Sequence, residues 1–445
     1  MRHGTSMAAA LAAAVALPSL RNGYVYDDVL LVLQNSRVHG LAQSGALWHS
    51  SYWPAGLLYR PLTTQLFAFE WALGNGNPLP FHLVTLLLAA LSAALLFRLA
   101  RQLLPDGPAL LAAALFAVHP VHVEVLASVV GQGELLAAVA ALLAVERYLA
   151  WSADGGLTAG RRWLLAGVTL LGILAKETGY VIPLLLGAAA LPVRRGRREE
   201  RGSLALLQGT AVLAGLLLRV SVLGSLAGET PAAVLRGLGA GARALAMLAV
   251  APQWARLLLW PARLQVEYGP PALPVDPALG RAQLAGLLLL GVTGLALGWS
   301  WSRRPVLAFG LLWLLLALLP VSNLIAPTGI LLAERVLYLP SVGLVLGIGA
   351  MAEAVWPRFS GASRAARLAV AVAVLALLAL GGVATLRGQA PWRSQQRFFA
   401  ELERTAAGSY RAQFVVSRYY YGERRYGEAE AAARRALALY GKDPQ

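Results

Sequence analysis

Apolar runs alternate along this chain with two kinds of boundary. One kind is rich in arginine, the other mixes acids, histidines and aromatics. The runs are 7–20, 81–104, 109–118, 126–148, 163–174, 179–191, 204–223, 283–301, 305–319, 336–355 and 368–386. Apolar stretches approaching about 20 residues read as helices that cross a bilayer, because only a helix satisfies its own backbone there. The short alternating segments of a membrane β-barrel are absent. The pattern predicts an all-α polytopic membrane protein of about eleven spans.

The arginines orient these spans. Arg98, Arg101, Arg147, Arg161, Arg162, Arg194, Arg195, Arg197, Arg198, Arg201, Arg303, Arg304, Arg358, Arg364 and Arg367 all fall at one set of ends. That asymmetry places them on the cytoplasmic side. The stretch 244–260 is also apolar, but Pro252, Gln253 and Arg256 interrupt it and Pro261 ends it. Counted as a span, it would put Arg303 and Arg304 outside. It is therefore predicted to be part of an outer loop, 225–281, that dips into the membrane. Arg2 and His3 precede the first run without a small-x-small cleavage site after it, so an uncleaved first span is expected. Residues 24–80 carry Trp48, Tyr52, Trp53, Tyr59 and Trp71 among turn residues and predict an outer loop with one or two helices on the membrane surface.

Composition agrees. Of 445 residues, 58% are hydrophobic and 13% charged, and the mean hydropathy is +0.61. Soluble domains carry about 25% charged residues. The net charge of +16 is almost all arginine. It sits between apolar runs and not on an aromatic-interleaved face, which argues for topology and contacts with membrane lipids and against nucleic acid as a partner. Without cysteine there is neither a disulfide nor a thiolate metal site. Arginine over lysine, with heavy Ala, Leu and Gly usage, points to a bacterial gene and hence the inner membrane.

The polar residues then sort by side. Every histidine but His3 falls at the outer ends, with Asp27, Asp28, Glu70, Glu124, Glu134, Lys176, Glu177, Glu267, Asp276, Glu334 and Arg335. Ionisable groups at membrane depth are costly and mark function. Asp27 and Asp28 follow the first run directly and are the candidate catalytic bases; the bland role is capping the 29–33 run, which needs only one carboxylate. His119, His122 and Glu124 have metal-ligand spacing, but Pro120 spoils the helical face, so orienting a substrate or binding phosphate is the preferred role. Glu134 faces the same space or stays neutral within the bundle. Lys176-Glu177 and Glu334-Arg335 are adjacent opposite charges that either pair with each other or capture a phosphate. Arg60 is a third cation on that side, for phosphate or for lipid headgroups.

Several motifs in order resemble a known family: Tyr26-Asp27-Asp28, Tyr59-Arg60-Pro61-Leu62, Phe81-His82-Leu83-Val84, His119-Pro120-Val121-His122-Val123-Glu124, Ala175-Lys176-Glu177, Leu319-Pro320-Val321-Ser322-Asn323 and Leu332-Ala333-Glu334-Arg335-Val336-Leu337-Tyr338-Leu339-Pro340-Ser341. The set is similar to the transmembrane and tetratricopeptide-repeat O-mannosyltransferases and their bacterial relatives, of the GT-C superfamily. The resemblance implies a GT-C-like membrane domain over 1–386, an acidic residue in the first outer loop, and substrate contacts including Tyr338. It also implies a polyprenyl-phosphate sugar donor, mannose or similar, and a hydroxyl acceptor on a protein Ser or Thr or a glycan. The reaction expected is inverting, on the periplasmic side, with no cofactor and no divalent metal required. Two departures stand out. Gly131-Gln132-Gly133-Glu134 replaces the Gly-Arg-Ala-Asp of relatives, losing a cation. The tail, 387–445, holds about one tetratricopeptide-like repeat where relatives often carry many. One repeat cannot bury its own faces, so the tail is expected to dock on the membrane domain or a partner, with a plain amphipathic helix as the alternative. Two rival functions are a scaffold with a binding tail and a lipid-linked glycan transporter, though the midplane repeats of a transporter are missing.

Overall fold

The computed structural model of the protein describes residues 2–54, 56, 58–193, 198–226, 231–273 and 275–439. Arg194, Arg195 and Arg197, used above for topology, lie outside them. All the apolar runs are helical, and the described residues contain no strand beyond one isolated bridge, Pro271 with Ser409. The chain is an all-α polytopic membrane protein. Among the described residues seven helices are long and apolar enough to cross a membrane, or eight if the bent pair Asp106–Val118 with Pro120–Ala127 is counted as one span. The remaining expected spans form shorter helices: Ala159–Ala175, Ile182–Val193 and Pro305–Leu318. The expected span 126–148 begins only at Gln132, because Gly131 lies against the Val125 carbonyl and the chain breaks there.

The main core joins α1 (Arg2–Ala16), α2 (Leu79–Arg101), α3 (Asp106–Val118), α4 (Gln132–Ala153) and later helices around alanines and leucines. Ala8, Ala12, Val15 and Ala16 of the first helix are buried in it. Small residues let membrane helices approach closely. One close crossing is between α5 (Pro305–Leu318) and α6 (Tyr338–Ser360), where a Cβ on Gly343 would lie 2.4 Å from the Gly310 carbonyl oxygen. At the rim, helices 281–303 and 364–388 expose Leu288, Leu295, Leu375 and Leu380. Helices apolar on all sides fit lipid contact.

The stretch 244–260 forms two helices, Ala240–Leu248 and Ala251–Leu259, each too short to cross. They pack under loop 264–275 and residues 330–337 as a second apolar cluster. The tail leaves the last span through Gln389, whose amide donates to the Val15 carbonyl at 2.7 Å. It continues as α7 (Gln395–Thr405), α8 (Tyr410–Gly422) and α9 (Tyr426–Leu439). α8 and α9 pack as a helix pair with Ala412, Ala429, Ala432 and Ala436 buried, rather than as a single amphipathic helix. The tail docks as expected: Val25, Val123 and Ala127 share one apolar cluster with Trp392, Phe398, Phe399, Leu402 and Val416.

Candidate functional site

At the end of the bundle that carries the first loop, Asp27 and Asp28 have different surroundings. Asp28 is fully buried. Its carboxylate accepts the Val130 N–H at 2.9 Å and the Val25 N–H at 3.3 Å, tying the first loop to the break before α4. It does not cap residues 29–33, which form a single π turn. Burial pushes its pKa up to about 7, against the backbone donors that lower it. Asp27 keeps 18% of its side chain exposed and meets Arg335 at 3.2 Å. Burial raises its pKa too, with Arg335 pulling it back.

Arg335 is the hub. Through Nη1 it donates to Asp27 and, at 2.9 Å, to Glu124. Its own backbone N–H donates to the other Glu124 oxygen at 2.9 Å. The loop that delivers Arg335 is shaped by Asn323, left-handed at φ 57°, whose side chain accepts the Thr328 N–H at 2.6 Å. Asparagine tolerates that conformation better than most residues.

The adjacent charges of the sequence do not pair with each other. Lys176 pairs with Glu134 across helices, and burial lowers the pKa of its ammonium, with Glu134 opposing the shift. Glu177 takes Arg60 at 2.7 Å and Arg219 at 3.4 Å, and Arg60 also lies over the Tyr52 ring. Glu334 accepts from Tyr268 at 2.5 Å and from the Gln265 N–H at 2.6 Å, and burial raises its pKa to about 8. Helix geometry explains this: neighbours in sequence at a helix start point to different sides.

Three expected contacts lie elsewhere. His119 is held by its own turn and by the Leu258 carbonyl at 2.9 Å. His122 bonds Ser341 at 3.0 Å and packs on Tyr338, 4.4 Å between ring centroids, and Tyr338 packs on Phe116. These aromatic groups belong to the core behind the site, because the bend at Pro120 turns them inward while Glu124 points to Arg335. Among the described residues, no group of three or more His, Cys, Asp or Glu is arranged to hold a metal ion.

Sequence reasoning undervalued four residues: Glu267, Tyr26, Arg411 and Gln132. Glu267 accepts from the Tyr26 hydroxyl and pairs with Arg411 of the tail at 3.1 Å. Tyr26 was visible only as part of a motif, and Arg411 carries no local signal at all. Gln132, where the resemblance implied an arginine, is buried and donates to Glu70 at 2.8 Å. Burial there pushes the Glu70 pKa up to about 9, so this carboxyl is neutral and needs no cation.

Residues 61–222 match the family described as dolichyl-phosphate-mannose-protein mannosyltransferase. The chain is 28% identical to protein O-mannosyl-transferase Tmtc1 of Drosophila melanogaster, over 89% of its own length and 57% of the relative's. It is 28% identical to TMTC3 of Mus musculus, also a protein O-mannosyl-transferase, over 86% and 45%. With Tmtc2 of Drosophila melanogaster the identity is 34% over 59% and 30%. The chain spans about half the length of the curated relatives it matches.

Proposed function

Because this chain is related in sequence to the protein O-mannosyl-transferases, we propose that it moves a sugar, mannose or similar, from a polyprenyl-phosphate donor to a hydroxyl. The acceptor in this reading is a Ser or Thr of a protein on the non-cytoplasmic face of the membrane. The observation that carries it is the division of labour between the two aspartates. Asp28 is consumed by backbone donors, while Asp27 stays partly open beside Arg335. A base needs an accessible lone pair and a partner that fixes its rotamer. Oδ2 is held by Arg335, and in this reading Oδ1 takes the acceptor proton.

The acceptor oxygen then bonds to the anomeric carbon as the bond from that carbon to the phosphate oxygen breaks, inverting the centre. The leaving phosphate keeps the electron pair. Arg335, whose Nη1 is engaged by Asp27 and Glu124, offers its remaining donors to that phosphate, and Lys176 adds a point charge. The raised pKa of Asp27 makes it a stronger base than an exposed aspartate, in line with this role. The test supplies membranes containing the full chain with labelled polyprenyl-phosphate mannose and measures transfer to protein. Asp27→Asn abolishes it if the reading is right; full transfer by that variant overturns the assignment.

A further inference from the structure

The tail reaches three segments around Asp27: the first loop, the loop that carries Gln265 and Glu267, and the loop that leads to Arg335. Gln395 accepts the Tyr26 N–H at 3.0 Å. Phe398 stacks on the Tyr26 ring at 5.2 Å between centroids, and Phe399 meets it edge-on at 6.5 Å. The Thr405 carbonyl accepts from the Gln265 side chain at 2.9 Å, and the Gln265 N–H in turn donates to Glu334. Arg411 pairs with Glu267, which holds the Tyr26 hydroxyl, and donates to the Gly329 carbonyl at 2.9 Å in the loop that leads to Arg335.

Tyr26 itself is bent. Its φ is 59°, a left-handed conformation that is uncommon for a bulky residue. Such a conformation persists only where the surroundings over-determine it. Here the ring, the hydroxyl and the amide are all held, two of the three by the tail directly and the hydroxyl through Glu267 and Arg411. The next residue is Asp27, so the bend decides where that carboxylate points.

We propose that the C-terminal helical segment is a working part of the site, with Tyr26 as a positioning residue that the tail clamps in its left-handed bend so that Asp27 meets Arg335. The inference rests on the transferase reading above and adds to it a role for the tail that needs no acceptor contact. Charged groups facing Asp27 come from each packed segment: Arg335 and Glu124 from the bundle, Glu267 from loop 264–275, and Arg411 from the tail. Loosening the clamp therefore changes both the geometry and the field at the base.

The experiment uses the full chain in detergent or nanodiscs with labelled dolichyl-phosphate mannose. Arg411→Gln, Tyr26→Phe and Phe398→Leu are compared with wild type and with Asp27→Asn. Transfer is measured as kcat and donor KM separately, and hydrogen exchange is followed by mass spectrometry over residues 22–34. The clamp predicts a fall in kcat of tenfold or more for Arg411→Gln, with donor KM within twofold of wild type and at least tenfold faster exchange in the loop. Arg411→Lys recovers part of the loss. Tyr26→Phe keeps the stack and folds if Arg411→Gln does not; it loses the Glu267 bond alone and gives a smaller kcat loss of the same kind. Wild-type kcat or unaltered exchange in the folded clamp variants overturns the inference. Wild-type transfer by Asp27→Asn overturns the reading beneath it and leaves the exchange result to judge the clamp.

Discussion

The two ends of the helical bundle handle charge in different ways. At the end with the first loop, partners are far apart in sequence: Asp27 and Arg335 by 308 residues, Glu124 and Arg335 by 211, Arg60 and Glu177 by 117. At the other end they are near neighbours, as in Arg147 with Glu146, Arg101 with Asp106 and Arg161 with Asp154, with Arg98 and Glu146 spanning one helix pair. Of these, the pairs of exposed Asp106 and Asp154 add little, about 0–1 kcal/mol, while Glu146 is buried between its two arginines. Long-range pairs in a partly closed space bring distant segments to one point, and they are expensive to break singly. The first end is therefore where the chain invests in geometry, and the second is where it holds charge out of the membrane.

The contrast is broken most directly at Arg335. Arg335→Gln leaves Glu124 buried without its cation, a loss of roughly 3–5 kcal/mol for a pair broken on one side. Reduced yield of folded protein and a transfer rate down by at least a hundredfold are expected, read by thermal shift and by labelled-donor transfer. Asp27→Asn keeps the fold, since the amide oxygen still accepts from Arg335, and loses about a hundredfold or more in kcat, the range for removing a general base. Asp28→Ala does the reverse: it leaves buried N–H groups of Val25 and Val130 without their acceptor, at about 1–3 kcal/mol, which a thermal shift detects.

A separate effect concerns pH. The Glu70 pKa is about 9 folded against an ordinary value of 4.5, so the folded state holds one more proton between those values. Stability from this group is full below the ordinary value and is lost as pH rises toward 9. Glu70→Gln removes that slope; thermal melts of both proteins across this range, with parallel curves, would refute it. The smallest effect is at the other end, where Arg161→Gln leaves both melting temperature and transfer unchanged within error.

Much of this was legible beforehand. The hydropathy pattern gave the helices, and Pro252, Gln253 and Arg256 marked the break in 244–260, which forms two helices each too short to cross. What the pattern lacked was the partner of each charge. Lys176-Glu177 and Glu334-Arg335 look like ready-made pairs, yet helix starts aim each member at a different neighbour. His119 and His122 looked like site residues because their spacing is suggestive, and only the bend at Pro120 shows that Glu124 alone faces the carboxylates. Asp27 and Asp28 were indistinguishable as letters; the backbone N–H groups of Val25 and Val130 separate them, and no side-chain pattern encodes those. The role of Arg411 depends on how the tail folds back, which no local window contains.

The 308 residues between Asp27 and its guanidinium also set an order of assembly. A ribosome adding about 5–20 residues per second needs roughly 15 to 60 s to travel from one to the other. Throughout that interval the newborn first loop waits without the counter-charge and without the tail that bends it. On the proposed clamp, a chain cut short before the tail would insert its spans yet leave Asp27 unplaced.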